Sequence, residues 1–495
     1  MRLTERGRDA AALVAGAAWP LAFAPLNWWP VAPASLVALF LLLDGSAPRR
    51  AAMRGFAFGA GLFGAGVWWV FISMNHFGGL HWSLSAVITV VLIATLALFP
   101  AGFGWLAARW QPIAGGWRWL VGLPALWVAV EWLRSWLLSG FPWLLAGYAV
   151  DDTPLGAWAP VSGVLALSAG IAVTAGAFAW LLRTPRPRTA VIGAIVCGVV
   201  WGSGAVLSRV EWTSRGGAPL DVALLQGNIG QDIKWASSSL VPTIDLYQGL
   251  TEQHWDADLI VWPEAALPAL KHQLDPYLDE LAARAARNEA SIVMGILVRE
   301  GTAAPFDYFN AVLSLDDGGL YYKRHLVPFG EFFPIPGFMR EWLRMLSLPY
   351  SDFTRGPRDQ PPLRAAGQAL AASICYEAAY GAEMIRALPE ATLLVNVSND
   401  AWFGDSIAPH QHLQIVRMRA REASRWLVRA TNSGITAVVA PDGRLAATIP
   451  QFEVGVLRAS VQPLAGATPY SRTGNWPLLI LIGVLLGVSA RLRYA

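Results

Sequence analysis

Residues 371–377 read Ala-Ala-Ser-Ile-Cys-Tyr-Glu, an apolar run with the look of a buried strand that turns at Cys375 into a helix-like segment. Two other stretches share this construction. In 258–264, Asp-Leu-Ile-Val-Trp-Pro-Glu, an apolar strand delivers Glu264 at its carboxyl end. In 319–331, Gly-Leu-Tyr-Tyr-Lys-Arg-His-Leu-Val-Pro-Phe-Gly-Glu, the returning arm of a hairpin delivers Lys323 and then Glu331. A thiol, a carboxylate and an ammonium carried at strand ends can meet in one pocket.

Working outward, short apolar runs at 222–225, 259–262, 291–296, 369–374 and 393–397 read as buried strands. Helical patterns at 276–287 and 411–425 lie between them, and Asp316-Asp-Gly-Gly319 and Pro441-Asp-Gly443 are strong turn signals. Residues 208–473 are therefore expected to form a soluble α/β domain.

The flanks are different. Seven apolar stretches fill 1–207, at 10–26, 28–43, 55–74, 82–110, 117–138, 155–182 and 189–207, and an eighth covers 474–490. A spanning helix needs about 20 apolar residues. The second stretch is short, the eighth is at the lower limit, and the fourth, with Pro100 as a candidate kink, and the sixth are long enough to tilt. Composition agrees: of 495 residues 55% are hydrophobic and 14% charged, with 25 Trp, where a soluble domain carries about 25% charge. Mean hydropathy is +0.42. One soluble core cannot hide that much apolar surface, so a membrane protein of about eight helices is expected, as 1–207 and 474–495 around the domain 208–473. Arg2, Arg6 and Arg8 before the first stretch, with Ala22-Phe23-Ala24 after it, resemble a signal peptide. Pro25 and the immediate return of apolar sequence favour a span.

Basic residues fix the orientation. With the N-terminus inside, the inner segments hold Arg2, Arg6, Arg8, Arg49, Arg50, Arg54, Arg109, Arg118, Arg183, Arg186, Arg188, Arg491 and Arg493, while the outer loops 75–81 and 139–154 hold no Lys or Arg. Both termini are then cytoplasmic and the α/β domain extracytoplasmic. The net charge of +3 is too weak to argue for nucleic acid. Two cysteines, Cys197 in an apolar stretch and Cys375 in the soluble region, offer no disulfide framework, and Cys197 reads as packing.

A thiol must lose its proton to attack. Glu264 in an apolar pocket can take it, and Lys323 can stabilise the thiolate and then an oxyanion, beside a backbone N–H near Tyr376. These three stretches resemble the nitrilase, or carbon–nitrogen hydrolase, superfamily with its Glu-Lys-Cys triad. With the flanking spans, nearly the whole chain resembles the apolipoprotein N-acyltransferases of bacterial lipoprotein maturation. The most specific stretches are Tyr322-Lys-Arg-His-Leu-Val-Pro-Phe-Gly-Glu331 and Cys375-Tyr-Glu377.

The resemblance implies an α-β-β-α sandwich, Glu264 as general base, Lys323 as oxyanion stabiliser and Cys375 as nucleophile. It implies support from Glu331, Tyr376 and Glu377, and lipid contact by Trp235 and by Phe141 and Trp143 in the turn 140–143. The reaction implied moves an acyl chain from a membrane phospholipid, through a thioester on Cys375, to the N-terminal amine of a diacylglyceryl-cysteine apolipoprotein. The site would lie on the periplasmic side of the inner membrane, with no cofactor or metal. A membrane-tethered amidase is the alternative, since the same triad serves it; eight spans exceed what tethering needs. A transporter would want polar residues at mid-depth of its spans, and these are almost absent. Glu131 and Arg134, three apart in the fifth stretch, share a helix face and read as a structural pair. His410 and His412 lack the spacing of a helical metal pair, and no Cys or acidic cluster accompanies them in sequence.

Overall fold

The computed structural model describes residues 4–110, 115–236, 238–302, 306–332 and 353–492. Arg2 and Arg493, counted above toward the topology, lie outside them. The chain forms two compact units. One comprises Met1–Phe71, His81–Val210 and Thr473–Ala495, the other Ile72–Leu80 with Glu211–Arg472.

In the first unit every apolar stretch carries helix. Trp82–Arg109, Val164–Arg183 and Pro187–Leu207 are each long and apolar enough to cross a membrane, and Pro48–Gly66 with Trp69–Phe77 makes a fourth if that bent pair is one span. The other stretches give shorter helices, Glu5–Ala18, Val31–Leu43, Leu123–Arg134 and Trp476–Leu492. Among the described residues, single helices of spanning length are thus fewer than the apolar stretches. Proline and glycine punctuation explains the difference. Pro20 opens the tight turn Trp19–Ala22 that ends the first helix. The sixth stretch becomes a long helix only at Val164, after Pro160 and a Gly163 at φ +69°. Pro100, in contrast, lies inside the unbroken helix Trp82–Arg109.

Small residues let these helices approach closely: a Cβ on Gly55 would stand 2.1 Å from the Pro100 carbonyl oxygen. Buried charges are paired. Arg54 donates to Glu5 at 2.7 Å and to Asp9 at 3.2 Å. Glu131 and Arg134 fasten a turn: Arg134 donates to the Phe141 and Trp143 carbonyls at 2.6 and 2.7 Å, and Glu131 accepts from the Ala146 N–H at 2.8 Å.

The second unit is built on two six-stranded sheets. The strands are β1 Leu220–Gln226, β2 Leu259–Trp262, β3 Ser291–Glu300, β4 Asp307–Ser314, β5 Leu320–Tyr322, β6 Leu363–Ala365, β7 Gln368–Ile374, β8 Leu393–Ser398, β9 Leu427–Thr431, β10 Thr436–Val439, β11 Leu445–Ile449 and β12 Gly455–Val461. One sheet runs β12-β1-β2-β3-β4-β5 and the other β11-β10-β9-β8-β7-β6. Each has three parallel strands at its centre, β1-β2-β3 and β7-β8-β9, and antiparallel strands outside.

Alternation along each strand makes the layers. In β1, Val222 and Leu224 face the other sheet and pack with Leu370, Ile374 and Val395, while Ala223 and Leu225 face outward. On that outer side Leu278, Leu281 and Ala285 of the helix Asp275–Arg287 cover Ile260, Ile292 and Met294. On the far side of the second sheet, Leu413, Val416 and Ala420 of the helix Ala408–Ala423 cover Ala371, Leu394 and Leu427. The order helix, sheet, sheet, helix is the expected α-β-β-α sandwich. Each fully buried Leu, Ile or Val contributes about 1.5–3 kcal/mol. The parallel centres put the carboxyl ends of β2, β7 and β8 within reach of one another, where open α/β sheets bind ligands. Residues Ile72–Leu80 join this unit through the loop after β8: Ser73 Oγ donates to the Trp402 carbonyl at 2.7 Å and Phe77 meets the Trp402 ring at 6.4 Å.

Candidate active site

Cys375 is the first residue after β7. Its φ of +50° is left-handed, a region a side-chain-bearing residue occupies at a cost of roughly 1–3 kcal/mol. Ile374 closes the strand by donating its N–H to Glu377 Oε2 at 2.8 Å. Cys375 is buried at 9% exposure, and burial pushes its thiol well above the ordinary range. The Glu264 carboxylate adds to that rise and the Lys323 ammonium opposes it. Both charges therefore act on the sulfur, and burial favours the neutral thiol.

Glu264 follows β2 and is buried. Its Oε2 accepts the Asn399 N–H at 2.7 Å, and its Oε1 accepts Asn310 Nδ2 at 2.7 Å and Lys323 Nζ at 3.5 Å. Lys323 follows β5, with its N–H on the Asn310 carbonyl of β4 at 2.8 Å, so the hairpin register places it. Its Nζ donates to Glu331 Oε1 at 2.7 Å. Burial works against the Lys323 charge, but Glu331, Glu264 and Cys375 outweigh it and hold the amine above the usual lysine range. Glu331 is fixed by the Val327 N–H at 2.8 Å and by Asn310 at 3.3 Å. The structure thus gathers Glu264, Lys323, Cys375 and Glu331.

Glu377 is buried and ties the thiol strand to the lysine hairpin. Its carboxylate accepts the Ile374 N–H, the Arg324 N–H at 2.6 Å, the His325 N–H at 3.1 Å and the Tyr321 hydroxyl at 3.1 Å. Tyr376 is half-buried, its hydroxyl accepting from Tyr380 at 3.0 Å. Trp235 is half exposed. Its neighbour Lys234 is buried, donates to the Glu264 carbonyl at 3.4 Å, and is lowered by burial to about 8 against the pull of Glu264. In the other unit, Trp143 is 1% exposed, packed on Trp69 at 5.4 Å and on Phe141 at 6.2 Å. Trp143 is buried packing there, and Phe141 lies stacked on it.

Sequence reasoning missed Asn310, which bridges both carboxylates, and Asn399, whose N–H holds the Glu264 carboxylate. Asn399 carries the same signal that found the others, a polar residue just beyond an apolar strand. His412 corrects a sequence reading, because the fold does bring Cys and acid to it. Ligand atoms of Cys375, Asp400 and His412 lie within 4.8 Å of one another, the one such group of three among the described residues. Two of the three are engaged: Asp400 takes Arg429 at 2.6 Å, and His412 Nε2 faces the Cys375 carbonyl at 3.1 Å. The donors suit the internal network better than a metal ion.

Residues 15–177 match the family described as "Apolipoprotein N-acyltransferase N-terminal domain" and residues 221–470 match "Carbon-nitrogen hydrolase". The apolipoprotein N-acyltransferase of Methylococcus capsulatus is 46% identical over 485 residues, covering 96% of this chain and 94% of that protein. The chain belongs to the apolipoprotein N-acyltransferase family. Its relative of the same name in Pseudomonas putida is 42% identical over 483 residues, covering 96% and 95%. Among solved structures, a carbon-nitrogen hydrolase from Helicobacter pylori aligns with a TM-score of 0.38 and 17% identity over 50% of this chain and 90% of that one. Membership in the apolipoprotein N-acyltransferase family makes this a membrane acyltransferase of lipoprotein biosynthesis with a carbon–nitrogen-hydrolase domain.

Proposed function

We propose that the chain transfers an acyl group from a membrane phospholipid to the N-terminal amine of a diacylglyceryl-cysteine apolipoprotein, through a thioester on Cys375. Glu264 takes the thiol proton as sulfur attacks the ester carbonyl. Lys323 and the Tyr376 N–H receive the oxyanion, and Glu264 returns the proton to the departing lysophospholipid alkoxide. In the second step the α-amine attacks the thioester, Glu264 accepts the amine proton, and the thiol is restored. Glu331 holds Lys323 in its charged form, Glu377 fixes the thiol strand against the lysine hairpin, and Tyr376 shapes the pocket wall. Trp235 is assigned to acyl-chain contact.

The observation that carries this reading is the left-handed Cys375 thiol, buried and acted on by both Glu264 and Lys323. A dry site favours a thioester that waits for its acceptor. The asymmetry of thirteen basic residues against none supports cytoplasmic termini and a periplasmic catalytic domain in the inner membrane.

The test separates a transferase from an amidase. Protein given labelled phospholipid and a peptide with an N-terminal diacylglyceryl-cysteine should move label to the peptide. The same peptide with an acetylated α-amine should receive none. Release of free fatty acid at equal rates with both peptides, and no labelled peptide, would contradict the proposal.

A further inference from the structure

Cys375 keeps a strained backbone, and its carbonyl oxygen has a specific partner. His412 Nε2 lies 3.1 Å away. A carbonyl oxygen only accepts, so Nε2 is the donor. His412 comes from the helix Ala408–Ala423 and is 1% exposed. Its other ring nitrogen is then the acceptor and takes Arg429 Nη2 at 3.1 Å, with Asp400 Oδ1 3.0 Å away. Arg429 donates to Asp400 Oδ2 at 2.6 Å and also to Asn396, and Ser398 Oγ donates to Asp400 Oδ1 at 2.8 Å. With Asp400 and Arg429 also fully buried, the imidazole is clamped from behind and meets the nucleophile's own peptide in front.

That peptide matters chemically. The Cys375 carbonyl and the Tyr376 N–H are opposite ends of one planar unit and point in opposite directions. Fixing the oxygen fixes the line of the N–H, and a donor on the oxygen polarises that N–H cooperatively. Preorganised N–H donors are where acyl-transfer sites stabilise the oxyanion.

We propose that His412, clamped by Asp400 and Arg429, is a positioning residue for acyl transfer: by gripping the Cys375 carbonyl it aims and polarises the Tyr376 N–H for the tetrahedral oxyanion. The proposal rests on Cys375 being the nucleophile. No bond to His412 forms or breaks in either step. The end of β8 serves both partners of the reaction, since the Asn399 N–H holds Glu264 while the adjacent Asp400 side chain holds Arg429, the donor to His412 Nδ1.

Full-length His412→Asn and His412→Gln test it. Asn keeps a polar group for Asp400 and Arg429 but is too short to reach the Cys375 carbonyl, whereas Gln carries an N–H at the depth of Nε2. Two rates are measured on each: acylation of Cys375 by labelled phospholipid, and alkylation of Cys375 by iodoacetamide, a displacement that forms no oxyanion. In His412→Asn acylation should slow by about 10–10²-fold, while alkylation, which follows thiolate fraction and access, stays within roughly threefold. His412→Gln should recover most of the acylation rate. Asp400→Asn, nearly isosteric, should show the same separation to a smaller degree, and decides the matter if the first variant does not fold. Normal acylation in these variants, or acylation and alkylation falling together, overturns the proposal. Failure of the wild type itself to form an adduct on Cys375 would instead overturn the nucleophile assignment.

Discussion

Arg134 in the apolar unit and Lys323 in the catalytic unit are both buried cations, 4% and 1% exposed, yet they are held in opposite ways. Arg134 donates to two backbone carbonyls of the turn 141–146, and the neighbouring Glu131 carboxylate accepts the Ala146 N–H of the same turn. Lys323 lies against two carboxylates and feels a thiol, all groups that can gain or lose a proton. In the first, both charged side chains are bonded to backbone groups of one turn. In the second, moving one proton changes the charge balance of every partner, which is what covalent acyl transfer needs. Burial of a charge is common to both; hydrogen bonds to backbone in one and to titratable side chains in the other set them apart.

The largest expected effect breaks the catalytic side at its base. Glu264→Gln should slow acylation of Cys375 and its discharge by the acceptor amine, each by about 10²–10⁴-fold, in single-turnover measurements of the two steps. If acylation runs at the normal rate and only discharge suffers, Glu264 is not the shared base, and Glu331 or Glu377 takes its place.

Glu331→Gln probes the other partner of Lys323. Glu331 favours the ammonium form, so its removal lowers the Lys323 pKa and the oxyanion cation is lost at a lower pH. The alkaline limb of the transfer rate should move down by about one unit, with a smaller rate loss at neutral pH. The sign on stability is also set. A lysine raised in the folded state contributes fully below its unfolded pKa of about 10.4 and loses that only as pH climbs through the folded value. Wild-type stability should therefore show no loss from this pair across the neutral range. An unchanged alkaline limb in the variant would mean that Glu331 does not set the Lys323 charge.

Arg134→Leu tests the structural side and should leave chemistry almost alone. Two buried carbonyls lose a charged donor, at a cost of about 2–4 kcal/mol in stability. Transfer per folded molecule should stay within roughly threefold, read from thermal unfolding beside activity. A folded Arg134→Leu protein with no transfer would place that residue in the reaction and erase the contrast with Lys323.

Much of the sandwich and the core of its site were legible because the signal is local. Glu264, Lys323 and Cys375 each follow an apolar run, and the run predicts both the strand and the side chain at its end. His412, Asp400 and Arg429 were not legible, because they sit on a helix, a loop and a strand whose meeting depends on the order of β7, β8 and β9. Asn310 is hidden for the same reason: its role follows from the β4–β5 register, not from its neighbours in sequence. In the apolar unit, hydropathy found where helices are and overstated how long they run, since Pro20 and the Pro160–Gly163 break act through backbone geometry that an average over apolar residues does not register.

The central claim is a covalent acyl-enzyme at Cys375, and mass spectrometry of protein incubated with phospholipid alone tests it most directly. The account predicts one acyl chain on the peptide containing Cys375, released by hydroxylamine, absent from Cys375→Ala, and discharged when a diacylglyceryl-cysteine peptide is added. Transfer to that peptide by Cys375→Ala, or turnover by wild type with acyl groups found on no residue or on another residue, would contradict it.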